Sequence, residues 1–411
     1  MNATYLYLYP SVILSQDNNC HLLYNTDTHK QLQFDRVAFN DKLFKLLSCR
    51  KNLYSVKINK EDSYNKTIRD IVNQKFGLLI DAQKDAKPVA LLPECVIRKN
   101  AHEFRNQDDY FNPNILEYIR RIIIHLDGYC KYNCAFCGSY YRQVRHCTKT
   151  NSALSAIQLN KIVRIINQIN LSTVELIWQQ SSLPFLSNIA AMFKDVRCLK
   201  IYHFNISFIG QTELNIIKDI DSSVLIKIIV DVELFEDYTS LMTKINDYCE
   251  SFNSYIFVFI CSSDRDIRLV IQCIETSVKY YEIRCVYGGD SFSFLNKHFF
   301  LNDSDLQHLS IDLRSFFAHQ HFNTELFGTI VIDSNTYLHF DENSSTIGRV
   351  EESWYEIINN EFYRKDNPWL WIRDNHPCNR CAYQFLCPPV TSLEKYSGHQ
   401  CVCSDYYRSL K

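Results

Sequence analysis

Glycine is scarce in this chain, nine in 411 residues, against an ordinary share of about 7%. Motifs that need close backbone approach or left-handed turns therefore have few places to form. No run reaches the roughly 18 uncharged apolar residues of a membrane span. The N-terminus, MNATYLYLYPSVILSQDNN, has neither a basic opening nor a small-residue cleavage site. A net charge of −2 lacks the basic excess that non-specific nucleic-acid binding needs. The expectation is a cytoplasmic protein with no membrane and no nucleic-acid partner. Hydrophobic content of 46% and charged content of 22% are those of an ordinary globular chain, and the length allows two or three domains.

Cysteine is abundant, at 17 residues. An odd and mostly scattered set fits a reducing compartment better than a disulfide framework. Cys249, Cys261, Cys273 and Cys285 sit singly in apolar segments and read as small buried hydrophobes. Two groups stand apart from these.

The first group lies in RIIIHLDGYCKYNCAFCGSYYR, residues 121–142. The β-branched run 122–124 reads as a strand, Gly128 as a turn, and Cys130, Cys134 and Cys137 follow as C-x3-C-x2-C with Phe136 before the last. Three thiolates in one short loop can hold three irons of a [4Fe–4S] cube and leave the fourth iron open to a small chelating molecule. A zinc site is the alternative, although structural zinc prefers paired C-x2-C knuckles. Cys147, ten residues beyond Cys137, reads as a spare thiol. Residues 140–147, which mix aromatic with basic side chains, read as a substrate mouth or a solvated loop.

The second group is near the C-terminus, in HPCNRCAYQFLCPP: Cys378, Cys381 and Cys387 as C-x2-C-x5-C before Pro388, with Cys401 and Cys403 following. This is ligand-like spacing, of a kind that an iron–sulfur cluster uses. Structural zinc on the same thiolates is the alternative.

Taken in order, residues 1–110 form a first domain. Short strand-like runs at 5–9, 20–24 and 31–34 are split by hairpin chemistry, and helical periodicity follows at 41–49 and 67–79. Residues 88–114 read as a linker. In the second domain, 111–300, the strand before the cysteine loop is followed by a helix at 152–169 and apolar strands at 174–178, 199–206, 224–230, 255–260 and 282–286. Alternating βα units of this kind build a parallel sheet, closed or partly closed into a barrel with its site at the carboxyl ends of the strands. Asp231 and Ser262-Ser263 stand at two such ends, as ligand contacts or as ordinary strand caps. The third domain, 301–411, carries a hairpin at 329–340, a short helix at 353–358 and the second cysteine group.

The strand, loop, C-x3-C-x-aromatic-C and following helix resemble the signature of radical S-adenosylmethionine (SAM) enzymes. C-x2-C-x5-C-P is similar to the SPASM domain of radical SAM maturases of ribosomally made peptides, as found in Bacteroidales peptide clusters. The resemblance implies an α/β fold: a partial (β/α)6 TIM-like barrel, an N-terminal winged-helix-like α+β domain for leader-peptide recognition, and a C-terminal SPASM/twitch-like iron–sulfur domain. It implies a SAM-binding [4Fe–4S] cluster on Cys130, Cys134 and Cys137, S-adenosyl-L-methionine, and an auxiliary [4Fe–4S] cluster for which the family pattern favours Cys401 as fourth ligand. It further implies modification of a precursor peptide through a 5′-deoxyadenosyl radical, with a reductant such as flavodoxin or ferredoxin. Phe136 would pack near the adenine, and Asp231 and Ser262 would meet ribose or methionine groups. Where relatives place Gly-Gly-Glu, this chain has Trp178-Gln179-Gln180-Ser181, so Gln179 or Gln180 would accept the SAM amino group's hydrogen bond through a neutral amide. Phe327, His339 and Thr391 stand near places where a complete SPASM domain has further cysteines. The alternative reading is a catalytically inactive pseudo-radical-SAM protein that binds peptide as partner of another maturase.

Overall fold

A computed structural model describes residues 3–82, 85–92, 114–128, 140–144, 152–178, 183–249, 255–288, 292–362, 364, 366–399 and 401–404. Cys130, Cys134, Cys137, Phe136, Gln179 and Gln180 lie outside the described residues, as does Cys147.

The N-terminal segment holds six strands: β1 (Ala3–Leu8), β2 (Val12–Gln16), β3 (Cys20–Asn25), β4 (Gln31–Asp35), β5 (Ser55–Asn59) and β6 (Gly77–Asp81). They form two three-stranded sheets, β2-β3-β4 and β5-β1-β6. The first is a local meander. In the second, β1 takes partners more than fifty residues away in register, Tyr5 facing Lys57 and Ile80, which alternation along a sequence does not announce. The helix expected over 67–79 is Lys66–Asn73. It stops early because Lys75 turns to a φ of 63° and the chain re-enters as β6. Gly77 passes so close to β1 that a Cβ there would stand 2.2 Å from the Tyr7 carbonyl oxygen.

The central sheet is read from β7 (Arg121–His125), β8 (Thr173–Trp178), β9 (Leu199–Asn205), β10 (Leu225–Asp231), β11 (Tyr255–Cys261) and β12 (Tyr281–Cys285), side by side in chain order and all parallel. Beyond β7 the sheet continues with β13 (Thr329–Ile332), parallel to it, and then antiparallel β14 (Tyr337–His339) and β15 (Gly348–Arg349). The C-terminal segment thus completes the sheet of the middle one. Crossovers of one hand between strands in chain order put every connecting helix on one face. Accordingly Ile122, Leu176, Tyr202, Ile228 and Phe259 share a core with Leu159, Ile189, Leu214, Leu241 and Val270 of the five intervening helices. The first of those helices begins at Ala156 rather than 152, capped by Ser155 with Gln158, because Ala153 is drawn into a bridge with Asp127.

The opposite face carries Ile123, Ile177 and Val331 in one small cluster, and Ile229, Val258, Ile260 and Val286 packed with Val144 in another. Segment 140–144 lies across this face. The Asn343 side chain exchanges two hydrogen bonds with the Arg142 backbone, both 2.8 Å, and the next residue, Gln143, does the same with Tyr287 beyond β12. Adjacent Cα atoms are only about 3.8 Å apart, so the β12 end and the β14–β15 connection approach a common point and the sheet is strongly curled.

The N-terminal core does not close on itself. Leu306, Phe316, Ala382, Tyr383, Phe385 and Leu386 pack into it. Among the described residues, no helix is long and apolar enough to cross a membrane.

Candidate functional site

The first cysteine loop is anchored at both stems. Asp127 and Ala153 form an isolated antiparallel bridge, Gly128 N–H donates to the Ser152 carbonyl at 3.0 Å and Leu154 N–H to the Leu126 carbonyl at 2.9 Å. These paired flanks, 126–128 and 152–154, lie at the carboxyl end of β7, a central strand of the sheet. Asp231 ends β10 on the same side of the sheet and is 8% exposed. Ser262 follows β11, but its N–H and hydroxyl both engage Asp266 Oδ2, at 2.9 and 3.1 Å, beside the Ser263 cap of the helix Asp264–Thr276. Local capping thus accounts for Ser262.

Sequence reasoning missed a row of buried polar groups on the unhelical face. His203 Nε2 and Glu175 Oε2 are 2.8 Å apart and both residues are buried; Arg121 Nη1 stands 3.9 Å from the other Glu175 oxygen. His125 and Asp127, also buried, continue the row toward the cysteine loop. The available signal was a polar side chain inside each apolar strand, Glu175 in TVELIW and His203 in LKIYHFN.

The C-terminal thiols are described directly. Cys378 and Cys381 bracket a single 3-10 turn, Tyr383 N–H points at Cys381 Sγ at 3.4 Å, and Cys403 sits in a bridge with Leu301. Cys401 is hydrogen-bonded to Cys378; that bond lowers the Cys378 thiol below its ordinary value, burial opposing it and the Arg373 charge adding to it. The same bond raises Cys401. Burial pushes Cys381 up to about 12 and raises Cys387 as well. Cys403 lies within electrostatic reach of Cys381, Cys387 and Cys401. All five are free thiols. As placed, no group of three or more His, Cys, Asp or Glu side chains among the described residues could hold a metal ion.

Arg373 was not foreseen either. It is buried against Cys378 and Glu394, the latter on the short helix Ser392–Tyr396. Thr391 caps that helix, and His339 bonds the Ser344 carbonyl. Cys261 and Cys273 are fully buried in the core and Cys285 is half-buried, as small hydrophobes are; the Cys249 side chain lies outside the description.

The thiol loop also meets the N-terminal sheets. The Tyr383 hydroxyl accepts from Gln33 Nε2 at 2.5 Å and donates to Gln31 Oε1 at 2.9 Å. Ala382 N–H donates to Asp17 Oδ2 at 3.3 Å. No protein-family model matches the chain, and no curated protein does. Among solved structures, native anSMEcpe with bound AdoMet is similar at 12% identity over 65% of this chain and 88% of that one, with a TM-score of 0.44. PhdJ bound to a substrate intermediate is similar at 8% identity over 36% of this chain and 45% of that one, with a TM-score of 0.23. Likenesses this distant carry neither a function nor a site across to this chain.

Proposed function

We propose that the chain is a radical SAM-type enzyme that modifies a ribosomally made precursor peptide. The observation that supports this reading concerns the described residues that flank the C-x3-C-x2-C segment: 126–128 and 152–154 are hydrogen-bonded to each other at the carboxyl end of β7, inside a run of parallel strands in chain order, where α/β folds of this kind keep their sites. The curl of the sheet supports a partial barrel. A cluster on Cys130, Cys134 and Cys137 would leave one iron open for SAM and supply the electron that cleaves its sulfonium. Asp231 would contact the ribose or methionine groups. Segment 140–144, lying over the unhelical face, would limit water access and shape the opening through which the peptide enters.

The donor set at the second site fits an iron–sulfur cluster. Five soft thiols gather there, the donor type that an iron–sulfur cluster takes, each thiolate on a different iron. Cys378, Cys381 and Cys387 would be ligands. Either Cys401, which is hydrogen-bonded to Cys378, or Cys403 would be the fourth.

Anaerobic reconstitution tests both halves. Two clusters are expected per chain, and the triple Cys130, Cys134, Cys137→Ala variant should keep about half the iron. With reductant and saturating SAM, the wild type should release 5′-deoxyadenosine and methionine, and Cys134→Ala should not. A fully iron-loaded protein that releases neither, with peptide present, would leave the non-catalytic partner reading in its place.

A further inference from the structure

All five N–H donors of the Arg373 guanidinium are engaged. Nε donates to the Pro388 carbonyl at 2.5 Å and Nη2 to the Pro389 carbonyl at 3.1 Å and Glu394 Oε2 at 3.4 Å. Nη1 donates to Glu394 Oε1 at 2.7 Å and faces Cys378 Sγ at 3.6 Å. Glu394 is itself fixed by the Thr391 N–H and hydroxyl at 2.7 and 3.0 Å. A paired charge this deeply buried contributes little net stability over an apolar pair, so folding alone does not call for it. What the pair does achieve is geometric: one rigid fork touches the first thiol of C-x2-C-x5-C and the backbone just after the third.

We infer that Arg373, held by Glu394, is the positioning residue of the C-terminal thiolate site, joining Cys378 to the chain behind Cys387 and setting the charge that the sulfurs feel. This rests on the reading that the site holds an iron–sulfur cluster. A thiolate cluster is anionic, and at short range the nearest charge dominates because the interaction falls with distance. Among the described residues, the guanidinium is the charge in contact with Cys378 Sγ, at 3.6 Å.

The test uses the full-length chain with Cys130, Cys134 and Cys137 replaced by alanine, so that only the C-terminal cluster gives a signal, and measures iron content and the midpoint potential by an EPR-monitored redox titration. Glu394→Gln leaves an unneutralised guanidinium and should raise the potential. Arg373→Gln leaves an unneutralised carboxylate and should lower it. Arg373→Lys keeps the charge without the fork, so it should lower iron content while leaving the potential of the remaining cluster near that of the parent. Equal potentials, or shifts of one sign, in iron-loaded Gln variants would reduce the pair to a structural element and overturn the inference. A parent that binds no iron would overturn the cluster reading and this inference with it. Should Arg373→Gln not fold, the rise in Glu394→Gln against the parent decides alone.

Discussion

Gln143 and Tyr287 exchange two hydrogen bonds: Gln143 Nε2 donates to the Tyr287 carbonyl and the Tyr287 N–H donates to Gln143 Oε1, both at 2.6 Å. With the matching pair at Asn343 and Arg142, this ties the two ends of the curled sheet through neighbouring residues. Gln143→Ala and Asn343→Ala should each cost about 1–3 kcal/mol, because each removes a partner from a backbone donor and acceptor that are partly buried. The double variant should cost less than the sum, since the first loss already frees the segment. Urea denaturation followed by tryptophan fluorescence measures this; single costs below about 0.5 kcal/mol, the range of ordinary surface substitutions, would mean that the tie is not holding the sheet.

Gly77→Ala should destabilise by about 1–3 kcal/mol through overpacking, since the new Cβ meets rigid backbone, the Tyr7 oxygen at 2.2 Å. Gly288, with no atom of the described residues within 4 Å of where a Cβ would stand, is the control and should accept alanine nearly without cost. Melting temperatures of the two variants compare them; equal values would mean that β1 and β6 separate easily.

Trp369 is wholly buried against Phe340 at a ring distance of 4.8 Å, and its Nε1 donates to the Thr329 carbonyl of β13 at 2.8 Å. Trp369→Ala should cost about 3–5 kcal/mol. Trp369→Phe, which keeps most of the apolar volume but orphans the carbonyl, should cost less than the alanine variant. Chemical denaturation gives both values, and a cost for Trp369→Ala under about 1 kcal/mol would contradict the packing described.

Lys200 and Asp221 form a buried ion pair, Nζ to Oδ2 at 2.5 Å. Burial works to raise the Asp221 carboxyl, but the Lys200 and Ser223 hydrogen bonds outweigh it and hold it below its ordinary 3.8. A depressed folded value means that the stabilisation is complete above the ordinary carboxylate range and is lost as pH falls through the folded value. Asp221→Asn should cost about 3–5 kcal/mol near neutral pH, mainly by leaving Lys200 buried and unpaired. The gap between variant and wild type should narrow below pH 3.8; a gap that stays constant from pH 6 to the acid limit would assign the loss to packing.

The inner parallel strands were legible in the sequence because they are short apolar runs buried on both faces, and burial of that kind leaves a continuous β-branched and aromatic signature; β12, at the edge, is exposed or half-buried throughout. The expected strand at 174–178 and the observed Thr173–Trp178 differ by one residue, as do 255–260 and Tyr255–Cys261. Cysteine spacing is local and can be read without the fold; the C-terminal thiols do lie within electrostatic reach of one another. Tertiary structure decided what depends on partners distant along the chain. It set β1 between β5 and β6 rather than beside β3, because strand pairing is a long-range choice that alternation does not encode. It brought His203 to Glu175, residues on adjacent strands that no spacing rule connects. It placed Arg373 against Cys378, where a side chain that reads as a surface cation is buried by the loop that carries the thiols.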